Sequence, residues 1–221
     1  MSMRPLSLLE ARVLGVLVEK SLTVPDSYPL SLNALTLGCN QKTARDPVLT
    51  ASDAEVQGAV DALKALSLAF ESSGSRVSRY EHNVGRVLGL PSQSVALLAT
   101  LMLRGPQTAS ELRAASERLH RFADISAVEG FLDELANRAE EKGGPLVVKL
   151  PRAPGAREQR WAHLLVGPVD ASSFAAAPDG EAIVPASELA ALKSRVARAE
   201  AELDRLRGLV DRLYAELDIP R

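Results

Sequence analysis

Four capping-box signatures, an ungapped internal repeat and a closing heptad seam predict the fold class: mainly α with small β-hairpins (α+β). Together they imply two tandem winged helix-turn-helix domains plus a C-terminal coiled-coil helix. The expected boundaries are 1–88 for the first winged-helix domain, 89–166 for the second, 167–184 for a linker and 185–221 for the terminal helix.

The signatures are Ser7-x-x-Glu10, Ser52-x-x-Glu55, Thr108-x-x-Glu111 and Ser126-x-x-Glu129. In each, the hydroxyl can accept from an orphan amide of the first turn while the glutamate reaches back to the cap amide. Apolar residues follow at three- and four-residue steps, the period of one helix face. Leu9, Val13, Leu14 and Leu17 make the first stripe, in a helix expected to end at Lys20. Val56, Val60, Leu63 and Leu66 make another, and Val128, Leu132 and Leu135 a third. Each of the last two is followed by a strand, a polar turn and a second strand. These are 68–71, 72–75 and 76–82 in the first half, then 146–150, 151–158 and 159–165 in the second.

The halves resemble each other. AEVQGAVDAL (54–63) aligns without a gap on SAVEGFLDEL (126–135), and the helix before Lys20 matches the one ending at Arg104. Three helices and then a hairpin, occurring twice, is the order of a winged helix-turn-helix domain. GPVDASSFAAAPDGEAIV (167–184) has no periodicity and reads as a linker.

Beyond it, Leu189, Leu192, Val196, Ala199, Leu203, Leu206, Val210, Leu213 and Leu217 alternate in steps of three and four. That is a heptad seam. In a parallel pair, Glu188 would face Lys193, Arg195 would face Glu200 and Glu202 would face Arg207, all opposite in sign. A parallel homodimer through Leu189, Leu192, Val196, Leu203, Leu206, Val210, Leu213 and Leu217 is therefore expected. The alternative is one amphipathic helix docked on its own chain.

Composition narrows the function classes. A net charge of −2 makes the 221-residue chain no general magnet for nucleic acid or anionic membrane, so any such binding needs a local patch. The single Cys39 excludes an internal disulfide framework and suits a reducing compartment. The apolar run Val13–Val18 is too short and too closely flanked by charge for a membrane span or signal peptide, so a cytoplasmic protein without membrane attachment is the expectation.

Long stretches carry a family resemblance. YPLSLNALTLGCNQKTARDPVLTASDAEV (28–56), LEARVLGVLVEK (9–20), LRGPQTASELR (103–113) and REQRWAHLL (157–165) closely resemble the YceH-like family of uncharacterised bacterial proteins. The resemblance covers about residues 6–166, with a family-like terminal helix. It implies a tandem winged-helix fold and bacterial origin, and no established reaction, ligand or partner. Two positions depart from the family pattern: Ala44, where Asn is usual, and Trp161, where Tyr is usual.

The residues suggest binding rather than catalysis. Cys39, His82, His120 and His163 are scattered without metal-ligand spacing, and no phosphate loop, dinucleotide fingerprint or serine elbow is present. No catalytic, cofactor or metal residue is assigned, and an enzyme is not expected. In helix-turn-helix proteins the third helix enters the major groove. Here its outward faces carry Asp53, Glu55 and Asp61 in one copy and Glu129, Asp133 and Glu134 in the other. Each carboxylate brought to about 4 Å from a phosphate costs on the order of 1–4 kcal/mol.

Positive charge lies instead in the loop and hairpins: Lys42, Arg45, Arg76, Arg79, Lys149, Arg152, Arg157 and Arg160. Two readings follow. In one, a dimeric regulator grips the backbone of duplex DNA through basic wings. In the other, an interaction scaffold docks a basic protein surface on its acidic third helices, as chromosome-organisation subunits do by analogy. Lys42 and Arg45 could equally pair with acidic helix faces.

Overall fold

The computed structural model describes residues 3–72, 77–153 and 155–169, all of which fall within one compact unit. Arg76, nearly all of the linker, and the heptad seam from Leu189 to Leu217 lie outside the described residues. The chain is mainly α with small antiparallel strand pairs.

α1 (Leu8–Thr23) opens with the expected box: Ser7 Oγ accepts from Glu10 N, and Glu10 Oε2 accepts from Ser7 N at 2.9 Å. It continues one turn beyond Lys20, and Val24 N closes it on Lys20 O. Residues Glu10 to Val18 are all buried, so this helix is covered on every side and forms the axis of the core. Two glycines make that possible. A Cβ on Gly15 would lie 3.0 Å from Leu103, and one on Gly38 would lie 2.6 Å from Val16. Backbones therefore approach more closely here than any larger residue permits.

Around α1 stand α2 (Leu32–Cys39), α3 (Asp53–Ala65) and a three-stranded sheet. β2 (Ala69–Ser72) pairs with β3 (Arg79–His82) in the register Ala69 to His82. β1 (Leu30–Ser31), too short to show as a period in the sequence, pairs with the other edge of β3. α4 (Val84–Leu88), also unanticipated, leads into the second half.

That half contains α5 (Ser92–Arg104), α6 (Ala109–Ala115), α7 (Ile125–Ala136) and the hairpin β4 (Val147–Lys149) with β5 (Trp161–His163). Gln107 and Trp161 exchange backbone bonds of 3.1 and 2.7 Å, a single bridge in the place β1 occupies in the first half.

One expected start is displaced. α7 is capped by Asp124, whose Oδ1 accepts from Ala127 N at 2.8 Å, and not by Ser126. Ser126 already lies inside the helix, so Glu129 has no cap amide to reach. The boxes at Ser52–Glu55 and Thr108–Glu111 form as expected.

The halves share one core. Leu14, Leu17, Leu97, Leu98 and Leu101 are fully buried where α1 packs on α5, and Leu63, Leu112 and Leu132 belong to the same cluster. Each such side chain contributes roughly 1.5–3 kcal/mol.

Candidate functional site

α3 and α7 both turn carboxylates outward: Asp53, Glu55 and Asp61 on one, Glu129, Asp133 and Glu134 on the other, all exposed. The two faces differ in what those groups do. Glu55 Oε2 accepts from Ser52 N and Oγ at 2.8 and 2.7 Å, which holds its carboxyl below the usual range. Asp61 accepts from Gln57 Nε2 at 3.1 Å and lies 3.8 Å from Lys64 Nζ. Lys64 in turn bonds Glu71 at 2.5 Å. The α3 face is thus partly neutralised from within.

The α7 face is not. The helix contains no Lys or Arg, and among the described residues Glu129, Asp133 and Glu134 form no ion pair. Gly130, at the middle of the outward side, has no atom within 4 Å of where a Cβ would stand. Gly130 therefore leaves one gap without a side chain beside the carboxylates.

The cations divide by how far they are already committed. Arg45, a phosphate candidate by sequence, is buried with its side chain 0% exposed, and its Nη2 lies 2.6 Å from both Glu19 Oε2 and Gln41 Oε1. Its Nε donates to Gly38 O at 3.1 Å. A buried guanidinium needs a carboxylate, and α1 supplies one. Burial alone would raise the Glu19 carboxyl; the hydrogen bonds and charge of Arg45, helped by Lys20, outweigh it and hold the group low. Arg45 is therefore a structural plug and cannot meet a phosphate. Of the two readings of its charge, pairing with an acidic helix is the one realised.

Arg12, also buried, ties the same loop down by donating to Cys39 O at 3.0 Å and Pro47 O at 2.6 Å. Asn40 closes it: its Nδ2 donates to Ala51 O and its Oδ1 accepts from Ala51 N, both at 2.8 Å. The long loop between α2 and α3 is thus a fastened part of the core, with Lys42 exposed on it.

On the hairpins, Arg79 Nη1 donates to Pro29 O at 2.9 Å. Lys149, Arg152 and Arg157 are exposed, with Lys149 Nζ 5.1 Å above the Trp161 ring. Arg160 is half-buried and lines an open cleft of about 810 Å³, together with Arg45, Asp46, Arg104, Glu111 and Arg118. Arg104 and Arg118 were not singled out from sequence, where each reads as an ordinary charge in or after a helix's last turn. No spacing unites positions 45, 104, 118 and 160; only the packing of the second half against the loop does. Carboxylates line the cleft too, so its wall carries both signs.

Nucleophiles and metal ligands are not assembled. Cys39 is buried, and burial pushes its thiol up to about 12. His82 and His163 occupy matching positions, each paired across its hairpin to the first residue of the opposite strand. His82 Nε2 lies 3.1 Å from Ser21 Oγ, while Nδ1 of both rings is buried without a partner. Burial lowers both, His163 to about 4. Among the described residues no group of three or more His, Cys, Asp or Glu side chains could hold a metal ion, and no helix is long and apolar enough to cross a membrane.

Comparison with known proteins agrees with the resemblance read from the motifs. The family profile described as "Protein of unknown function, DUF480" matches residues 6–156. A UPF0502 protein of Burkholderia multivorans is 63% identical over 220 residues, covering 99% of this chain and 92% of the relative. A UPF0502 protein of Leptothrix cholodnii is 61% identical over 219 residues, covering 98% of this chain and 97% of the relative. The chain belongs to the DUF480 (UPF0502) family, an uncharacterised bacterial family.

Proposed function

We propose that the chain is a tandem winged-helix adaptor that works by binding, presenting the outward face of α7 to a basic protein surface. The observation that carries this reading is the set Glu129, Asp133 and Glu134. These carboxylates are exposed on a helix without cations and form no ion pair among the described residues. The winged-helix assignment draws support from the repeated order of three helices and a hairpin, and from the Gln107–Trp161 bridge that echoes β1. The same face argues against groove reading, because phosphate neutralisation supplies most of the affinity of ordinary DNA binders. Charge complementarity across a protein interface instead raises the association rate and selects the partner.

Affinity capture with the full chain and with charge-reversed variants tests the proposal. Glu129→Lys with Asp133→Lys is expected to lose a partner that the parent retains, whereas Asp61→Lys on the partly neutralised α3 loses less. An unchanged partner set after reversal on α7 would sink it.

A second reading keeps one supporting observation. Lys149, Arg152 and Arg157 are exposed on one hairpin and form no ion pair among the described residues, which suits a grip on a nucleic-acid backbone. A gel shift titrated with salt on random duplex DNA decides it. Binding should weaken steeply with salt and disappear when Arg152 and Arg157 become Ala; salt-independent retention counts against it. In both readings we propose that Leu189–Leu217 joins two copies, a point that light scattering at several concentrations checks directly.

A further inference from the structure

A half-enclosed hollow of about 510 Å³ lies where the N-terminal segment, α4 and the second hairpin meet. Its wall is mixed, with Val87, Leu146, Leu164 and Leu165 among its apolar residues. The charged groups in the wall are all cationic: Arg4, Arg138 and Lys142. Arg4 is already neutralised by a two-bond pair with Glu10 at 2.8 and 2.9 Å. Arg138 and Lys142 form no ion pair among the described residues.

Arg138 is half-buried and, among the described residues, donates only to main-chain carbonyls, those of Leu88 and Gly144. Glu140, whose carboxylate lies over Gly144, makes no ion pair with it. Burial lowers its pKa with no opposing charge to offset the loss of water. A half-buried guanidinium served by carbonyls alone is short of one anion. Lys142, exposed at the rim, adds a second charge of the same sign.

We propose that this hollow binds an anionic amphiphile, a monocarboxylate with a short to medium alkyl chain. The tail would lie on Val87, Leu146, Leu164 and Leu165, and the carboxylate would meet Arg138 and Lys142. The volume falls within the roughly 300–1,000 Å³ typical of small-molecule sites, where an apolar lining and a few convergent polar groups share the work. The wall draws on α4 and on the second half alike, so the ligand would brace the joint between the two copies. This inference is independent of the α7 surface and of either partner class.

Calorimetric titration of the full chain with octanoate, beside octanol as the uncharged control, tests it. Octanoate is expected to bind one per chain and raise the melting temperature. Octanol should bind about tenfold or more weakly, because it lacks the charge-assisted hydrogen bond to Arg138. Val87→Trp fills the hollow from a partly exposed position and should abolish binding while the chain stays folded. Lys142→Glu, a surface change, should weaken octanoate about fivefold or more and leave octanol unaffected.

Equal affinity for the two probes, or octanoate binding that survives Val87→Trp, overturns the proposal. So does absence of binding in the full chain.

Discussion

Ala44 sits at φ 57°, in the left-handed region that costs most L-residues roughly 1–2 kcal/mol. Asparagine tolerates that region better, because its short amide bonds locally, which gives a physical reason for the Asn usual in the family at this position. Ala44→Asn should therefore stabilise the chain by about 0.5–1 kcal/mol in urea unfolding. An unchanged midpoint would mean that the loop relaxes around alanine without strain.

His163 provides a second test at this scale. Its folded value near 4 lies below the ordinary 6.5, so the unfolded chain binds the proton more readily. Stability is then complete above pH 6.5 and declines toward pH 4, by up to about 3 kcal/mol from this residue. Unfolding of His163→Leu measured between these limits should show a flatter pH profile than the parent. Glu19 adds a lower window. Its depressed carboxyl supports stability above the usual carboxylate range, and that support is lost as the pH falls below it. The sequence left Arg45 open between a free cation and a partner of an acidic helix, and it carried no sign that His163 is buried. The pairing that hides Arg45 depends on Glu19, 26 positions away.

At the level of elements, sequence reading placed helices well where a hydroxyl cap and its glutamate fell in phase with an apolar stripe. Ser7, Ser52 and Thr108 all cap as read. Ser126 misled because its motif sits two residues inside the helix. The repeat carried the correction: aligning 54–63 on 126–135 sets Asp124 opposite Ser52. Asp124→Ala is accordingly expected to cost about 1 kcal/mol, and Ser126→Ala to stay within about 0.5, both read by thermal melting. The reverse order would restore Ser126 as the cap.

Gly130 gives a further test. With open space around it, Gly130→Ala should stabilise α7 by about 0.5–1 kcal/mol. If the gap at Gly130 belongs to a contact surface, the same change should reduce partner capture. β1 and α4 escaped sequence reading because two- and five-residue elements are too short to express a period.

Across the whole molecule, the sequence showed two copies but not how they share their interior. Gly15 reports that sharing, since its missing Cβ lets α1 lie against Leu103 of α5. Gly15→Val should cost about 1–3 kcal/mol by overpacking. Fluorescence from Trp161, the only tryptophan, should register that loss although it belongs to the other half. A Trp161 transition unmoved by the substitution would mean that the halves melt separately.

The all-round burial of α1 also bears on how such a duplication can persist. A polypeptide severed near Gly89 would leave α1 its own α2, α3 and sheet but bare it along the side where α5 packs, and would leave α5 bare in the other fragment. Each piece made alone should precipitate, while the two made together should reassemble into a soluble complex.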